Sequence, residues 1–235
     1  MGRRTQEGET LEQYKQRMID PISESYCAAK WYNATIWLGH GQTASCHHPP
    51  GHWIPLEELK DNYTAIHNTK HKKLMRKYMQ EGKRPAECEY CWKVEDMGKN
   101  HVSDRTFKTE IFKDEDVHKS AEMPWDENVM LRTLEISFDR ACNFSCSYCN
   151  PAFSTAWVKD INTYGGYQNI QSDGRGHFVD TADWAKPAAK HEEDNPYIQA
   201  FHKWWDNGLA DNLEEIRITG GEPIMHKGTW KLFDW

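Results

Sequence analysis

The chain has 235 residues, 38% of them hydrophobic, and a formal net charge of −7 at pH 7. Its 11 Trp, 10 Tyr and 8 Phe exclude the aromatic-poor composition of disordered chains, and the negative charge argues against bulk electrostatic binding to nucleic acid. No apolar signal-peptide core or membrane-length apolar run is found, so we expect a cytoplasmic protein that binds no membrane. Thiols stay reduced in that compartment, and seven cysteines, an odd number, therefore indicate metal ligation before disulfides.

The N-terminal part of the chain begins with a predicted helix and a predicted hairpin. A capping-box pattern at residues 10–13 predicts a helix that runs to about residue 18. Residues 31–46 combine two β-forming runs with a glycine-rich turn, which predicts a β-hairpin. Cys27 and Cys46 would then lie near the same open end of this hairpin.

A second cysteine-bearing stretch follows the next predicted helix. The apolar stripe of residues 68–81 predicts a helix, with Gly82 as the residue after its C-cap. Cys88 and Cys91 then lie on a turn with two residues between them, a spacing that lets both thiolates bind one metal. Residues 97–125 are charged and weakly patterned, and we expect a linker there.

The second half of the chain alternates strand and helix signals. In order, the pattern predicts a strand at 131–138, a helix capped by Asn150 that runs from Pro151 to about Asn162, a long polar insertion at 164–195, a helix starting at Asn195–Pro196, a strand at 213–219 and a helix from 226. This alternation favours a parallel α/β unit. The loops after both strands would lie at the carboxyl edge of the sheet, where such folds place their chemistry.

The loop after the first of these strands carries Cys142, Cys146 and Cys149. Three closely spaced thiolates can hold three corners of a [4Fe-4S] cube and leave the fourth iron open for chemistry. A zinc knuckle is the alternative, but it would need a fourth ligand nearby and would leave Gly220 to Pro223 unexplained.

The motif Cys-x3-Cys-x2-Cys after one strand, with Gly-Gly-Glu-Pro after another, resembles the radical S-adenosylmethionine (radical SAM) superfamily. The resemblance implies that the three cysteines bind a [4Fe-4S] cluster whose free iron chelates S-adenosyl-L-methionine. It also implies cofactor-binding roles for Tyr148, whose backbone would lie against the adenine, and for Gly220, Gly221, Glu222 and Pro223, which would bind the methionine amino group. Glycines permit close backbone approach to a ligand, and a glutamate accepts hydrogen bonds from an amine.

Four cysteines remain after this motif is subtracted from seven, enough to close a second metal site. They are Cys27, Cys46, Cys88 and Cys91. Their segment resembles the SPASM/twitch auxiliary-cluster segments of some radical SAM enzymes, although those more often follow the radical domain. A second Fe-S cluster, structural zinc and no metal all remain open. His47 and His48 could substitute as ligands, whereas His67 and His71 are expected on the surface.

These observations predict an α/β fold with an incomplete (β/α) radical SAM partial barrel. Residues 126–235 would supply its first two β/α units, preceded at 1–125 by a small α+β cysteine-bearing domain with a β-hairpin and a linker. Because the family's later strands have no counterpart and the last helix leaves Trp230 and Phe233 without partners, we expect a C-terminally truncated or split enzyme.

The resemblance implies an enzyme that cleaves S-adenosylmethionine reductively to a 5′-deoxyadenosyl radical, which abstracts hydrogen from a substrate. The auxiliary segment favours a peptide or protein substrate, and an electron donor such as a flavodoxin or ferredoxin would be a partner. The alternative is a non-catalytic module in which both cysteine groups bind zinc and the chain acts as a scaffold.

Overall fold

A computed structural model describes residues 5–98, 101–170 and 178–234, and it is organised around one open five-stranded sheet. The strands are β1 (Asn33–Trp37), β2 (Gln42–Ala44), β3 (His52–Trp53), β4 (Thr133–Ser137) and β5 (Glu215–Thr219). Their spatial order is β3-β2-β1-β4-β5. The first three pair antiparallel, whereas β1 with β4 and β4 with β5 pair parallel. The predicted α/β class is therefore confirmed.

The described α-helices lie before, between and after these strands along the chain. They are α1 (Leu11–Tyr14), α2 (Ala29–Tyr32), α3 (Leu56–Asp61), α4 (Lys70–Gln80), α5 (Glu89–Asp96), α6 (Asp104–Glu110), α7 (Asp114–Glu122), α8 (Thr155–Tyr164), α9 (Pro196–Trp204), α10 (Ala210–Asn212) and α11 (Lys227–Phe233). In the described part of the chain, no helix has both the length and the apolarity needed to cross a membrane.

The three parallel strands divide their side chains cleanly between the two faces of the sheet. Successive side chains of a strand point to opposite faces, so the register of the pairs defines each face. One face carries Ala34, Ile36, Leu134, Ile136, Ile216 and Ile218; the other carries Asn33, Thr35, Trp37, Thr133, Glu135, Ser137, Glu215, Arg217 and Thr219. We call these the apolar face and the polar face.

The apolar face forms the main core of the second half of the chain. Helix α9 packs on it through Ile198, Phe201 and Trp204, all buried. Burial of an Ile or Phe side chain contributes about 2 kcal/mol, so this helix fixes the sheet strongly. Asn195 caps α9 by accepting from the backbone N–H groups of Tyr197 and Ile198, as the sequence predicts.

Several local predictions are confirmed in the N-terminal part. The capping box at residues 10–13 forms, and α1 continues as a π-helical turn over Lys15–Ile19. The hairpin forms as β1 and β2, and α4 ends before Gly82, which has a φ of 72°. A left-handed backbone there is the conformation that favours glycine after a helix.

Two helix predictions were wrong. The expected linker at 97–125 contains α6 and α7, which have charged surfaces. Helix α6 buries polar and charged side chains, and α7 packs Val117 into the N-terminal core. The helix after the three-cysteine loop begins at Thr155 and is capped by Ser154, not by Asn150. The side chain of Asn150 instead accepts from the backbone N–H of Ala152 at 2.9 Å, which closes a turn.

The pairing of β1 with β4 joins the two halves of the chain in one sheet. Residues 33–37 align with residues 133–137 along the whole length of both strands. The hairpin of the N-terminal segment therefore extends the parallel sheet directly. A domain boundary between residues 125 and 126 stays a prediction.

Candidate metal centres

The Gly-Gly-Glu-Pro loop lies against the residues that lead into the three-cysteine loop. The backbone N–H of Gly221 donates to the carbonyl of Asp139 at 3.2 Å, and that of Glu222 donates to the carbonyl of Ala141 at 2.8 Å. Cys142 follows immediately. Because β4 and β5 are adjacent and parallel, their following loops meet at one edge of the sheet, and the two sequence motifs are in contact.

This contact requires the two glycines. A Cβ on Gly220 would stand 2.5 Å from Ser137 Oγ, and a Cβ on Gly221 would stand 2.2 Å from the Ala141 carbonyl oxygen. Gly220 also has a φ of 115°, which residues with a side chain rarely adopt. The close backbone approach expected of these glycines is therefore made to the start of the cysteine loop.

Helix α8 holds the cysteine loop from its other end. Thr155 Oγ1 donates to the carbonyl of Cys142 and accepts from its N–H, both at 3.0 Å. Ser154 Oγ donates to the carbonyl of Phe144 at 2.7 Å, and the indole of Trp157 donates to that of Cys146 at 3.0 Å. The loop is thus fixed by several hydrogen bonds to the first turn of one helix.

The three thiols of this loop remain partly accessible to solvent. The N–H of Phe144 lies 3.4 Å from Cys142 Sγ, a donor suited to a thiolate. Burial and then the charges of Cys142 and Cys146 raise the pKa of Cys149. Because the thiolates repel one another, bound cationic metal would stabilise them together. Tyr148, expected beside the adenine, has a side chain that is 90% exposed.

Arg140 links the cysteine loop to the insertion that follows α8. Its guanidinium donates to the carbonyls of Pro151, Thr181 and Ala182 at 2.8, 3.0 and 3.1 Å. Part of the predicted insertion, residues 171–177, lies outside the described residues. The segment around Ala182 is therefore held next to the cysteine loop by a buried cation.

The other four cysteines line a single pocket. Cys27, Cys88 and Cys91 are buried, with 7%, 8% and 6% exposure, and Cys46 is partly buried. The lining residues are Cys27, Ala29, Lys30, Ser45, Cys46, His48, Pro49, Met79, Cys88, Cys91, Trp92, Asp104, Arg105 and Lys108. The structure thus brings together four thiols from three separate segments, as the predicted second site requires.

Burial in this pocket favours the protonated form of each thiol over the thiolate. Burial raises the pKa of Cys88 to about 11 and raises the pKa values of the other three thiols as well. A metal that binds thiolates offsets this cost, because its positive charge replaces the proton.

Two further observations show that the pocket fits an anionic metal group. Ser45 lines it with a buried hydroxyl that has no hydrogen-bond partner among the residues that the structure describes, a donor that a sulfur ligand or sulfide would satisfy. Although burial opposes it, the negative charges of Cys88 and Glu87 raise the pKa of Lys30 to about 12. A lysine held cationic beside the thiols offsets negative charge on a tetrathiolate site.

A buried basic layer lies behind the pocket and was missed by the sequence analysis. Arg76 is buried and donates to Asn68 Oδ1 and the carbonyl of Lys30, both at 3.0 Å. His67, expected on the surface, is fully buried, with its Nε2 2.9 Å from the Trp31 carbonyl. The His67 ring is the partner of the Arg76 guanidinium, in the place that a carboxylate often takes. The burial of His67 therefore does not need a nearby acid.

Asp104 is a further residue that sequence spacing did not reveal. Its Oδ2 lies 3.0 Å from His48 Nε2 and 3.7 Å from His47 Nε2, and these three ligand atoms lie within 4.8 Å of one another. His48 and Asp104 both line the four-cysteine pocket. They therefore provide alternative donors at its edge.

The cysteine sulfurs are more widely spaced than in a zinc site. Among the described residues, which include all seven cysteines, no three Sγ atoms lie within 4.8 Å of one another. Tetrahedral zinc with Zn–S bonds of about 2.3 Å would hold its sulfurs about 3.8 Å apart.

Comparison with known proteins gives local sequence matches. The chain is 32% identical over 94 residues to GTP 3′,8-cyclase of Stenotrophomonas maltophilia strain K279a, and the same figures hold for strain R551-3. The match covers 40% of this chain and 19% of each relative. No family model and no solved structure matches the chain. The chain spans about a fifth of the length of the curated relatives that it matches.

Proposed function

We propose that the chain is the cluster-binding part of a radical SAM enzyme. The observation that carries the proposal is the contact between the two motif loops, in which Gly221 and Glu222 hydrogen-bond to the residues directly before Cys142. In this proposal β4 with α8 and β5 with α11 are the first two β/α units of a partial barrel. The distant similarity to GTP 3′,8-cyclase supports the same superfamily.

The residues of the site would have two roles, which are to hold the cluster and to bind the cofactor. Cys142, Cys146 and Cys149 would hold a [4Fe-4S] cluster, and their partial exposure leaves one side of it accessible to S-adenosylmethionine. Glu222 would accept hydrogen bonds from the methionine amino group, from a loop whose position Gly220 and Gly221 fix. When bound, the cluster and cofactor would supply a 5′-deoxyadenosyl radical for hydrogen abstraction.

The four cysteines of this pocket would hold a second Fe-S cluster, with residues 1–125 as a SPASM/twitch-like segment. Their four thiols line one pocket, and the cationic Lys30 beside them suits the negative charge of a tetrathiolate metal site. A zinc-binding scaffold without catalysis is the competing function. The electron donor would be a flavodoxin or ferredoxin, which reduces the cluster from outside the protein.

Anaerobic reconstitution with iron and sulfide tests the proposal. We expect about eight iron atoms per chain, about four in a Cys142→Ser/Cys146→Ser/Cys149→Ser variant, and an EPR signal of the reduced protein that shifts when S-adenosylmethionine is added. A Glu222→Gln variant should keep its iron and bind the cofactor at least tenfold more weakly. Two zinc ions and no cluster signal would favour the scaffold instead.

A further inference from the structure

An aromatic cleft opens at the carboxyl end of β1. Its aromatic walls are Trp37, His40, Trp53, Phe153 and Trp184, it encloses about 620 Å³, and it is completed by Gln42, His48, Pro50 and Gly51. A volume of this size is typical of a cleft that binds an organic ligand. Neither cysteine motif includes these residues.

The rings surround one imidazole. The centroid of His40 lies 6.4 Å from that of Trp37, 5.8 Å from that of Trp53 and 5.6 Å from that of Trp184. Burial lowers the pKa of His40, so the imidazole is neutral near pH 7. The cleft therefore offers flat, uncharged surfaces, with half-exposed indoles of Trp53 and Trp184 at its mouth.

The lining of the cleft includes residues from the surroundings of both cysteine groups. Trp37 aligns with Ser137 on the polar face of the sheet, and Phe153 follows Cys149 by four residues. His48 lines both this cleft and the four-cysteine pocket. The cleft thus adjoins the residues that directly follow the loop that we propose to carry the radical chemistry.

The walls of the cleft are fixed to the same framework as the cysteine loop. The carbonyl of Gly39 accepts from Ala188 N–H at 2.7 Å and from Asn195 Nδ2 at 2.9 Å. Arg140 holds the segment that leads to Trp184 against the residue after Asn150. The cleft is therefore pre-formed by contacts that do not depend on a ligand.

The lining excludes several classes of ligand. Among the described residues that line the cleft there is no Asp, Glu, Lys or Arg, so a triphosphate or a zwitterionic free amino acid would lose its hydration without a counter-charge. A residue inside a peptide carries neutral amides instead. The cleft is also next to β3, an edge strand whose outer backbone groups can pair with an extended peptide.

We propose that this cleft binds an aromatic side chain of a peptide substrate, an inference that rests on the proposed radical function. Stacking on the indoles of Trp53 and Trp184 would hold the ring, and the edge of β3 would orient the peptide backbone. The proposal names the substrate class for the site beside the three-cysteine loop.

Binding of small neutral probes to the reconstituted full chain tests this. We expect N-acetyl-tryptophanamide to bind saturably in ligand-observed NMR, at least tenfold more tightly than free tryptophan or GTP. A blocked Ala-Trp-Ala peptide should bind more tightly still. Trp53→Ala and Trp184→Ala should each weaken binding about threefold to tenfold, the usual worth of an aromatic pair.

Trp230→Ala is the matched control, because Trp230 is 54% exposed and lies outside the cleft. All three variants should keep their circular dichroism and their EPR signal, so that lost binding is not lost folding or a lost cluster. Tighter binding of GTP, no saturable binding, or binding that both cleft variants leave unchanged would overturn the inference. Cleft-dependent binding without any cofactor cleavage would instead overturn only the proposed function.

Discussion

The two cysteine groups differ most in how much solvent reaches them. Cys142, Cys146 and Cys149 lie on a partly exposed loop at the carboxyl edge of the sheet, whereas Cys27, Cys88 and Cys91 are almost fully buried in the N-terminal core. The first group is held by hydrogen bonds to the first turn of α8 and its cap, while the second is enclosed by packed side chains. An accessible site suits a cofactor that must enter, and an enclosed site suits a metal group that stays.

The difference in burial also indicates which cysteine group matters for stability and which matters for function. If the four-cysteine pocket holds a metal, the binding free energy of that metal adds to the stability of the core around it, whereas three thiols on a surface loop can be hydrated without one. We therefore expect damage to the buried group to affect stability and damage to the exposed group to affect chemistry. The predictions below test this division, beginning with the largest effect.

Removing the thiols of Cys88 and Cys91 from the buried group should have the largest effect on stability. We expect Cys88→Ser/Cys91→Ser to lose the second metal group and to lower the free energy of unfolding by about 4 kcal/mol or more, since both the metal bonds and a packed core are lost. Urea unfolding with iron and zinc analysis measures both. Cys146→Ser, the control on the exposed loop, should change stability by only about 0.5 kcal/mol. Equal destabilisation by the two would contradict the comparison.

Gly221→Ala should affect the exposed site alone. Its Cβ would stand 2.2 Å from the Ala141 carbonyl, so the two loops must separate, at a cost of about 1–3 kcal/mol. We expect at least tenfold weaker S-adenosylmethionine binding by calorimetry, with the metal of the buried group retained. Gly82→Ala is the control for backbone strain alone, because its φ of 72° disfavours alanine while its Cβ would meet no atom within 4 Å, and it should keep full cofactor affinity. Full cofactor affinity in Gly221→Ala would argue against the motif contact.

Mild acid should act mainly on the buried region. Burial and the nearby Lys72 lower the pKa of His52 to about 3, and they lower the pKa of His67 too. Since the unfolded chain binds these protons near pH 6.5, stability is full above that pH and falls as pH decreases from 6.5 towards the folded pKa. Each histidine should cost about 1 kcal/mol between pH 7 and 5.5.

Urea unfolding of the wild type and of His52→Gln at both pH values measures this cost, with iron content followed to exclude loss of the metal. The variant should lose about 1 kcal/mol less than the wild type on acidification. An identical pH dependence of both proteins would show that His52 is protonated in the folded state.

The elements that short patterns specify were predictable, and those that depend on distant packing were not. The capping box at Thr10, the hairpin and the two parallel strands follow from local periodicity and turn residues. Helices α6 and α7 were missed because charged surfaces hide a narrow buried stripe that only the neighbouring core reveals. The burial of His67 likewise depends on Arg76, a partner that sequence reasoning did not assign.

By itself, the sequence determined the candidate ligands, since the spacing of Cys142, Cys146 and Cys149 and of Cys88 and Cys91 is a local property of the chain. Only the tertiary structure decided what those ligands meet. The pairing of β1 with β4, a hundred residues apart, aligns the N-terminal hairpin with the second half of the chain. The tertiary structure also placed Asp104 at the four-cysteine pocket and brought Trp53 and Trp184 into one cleft. Such contacts depend on which apolar faces pack together, and that free energy is a property of the whole fold.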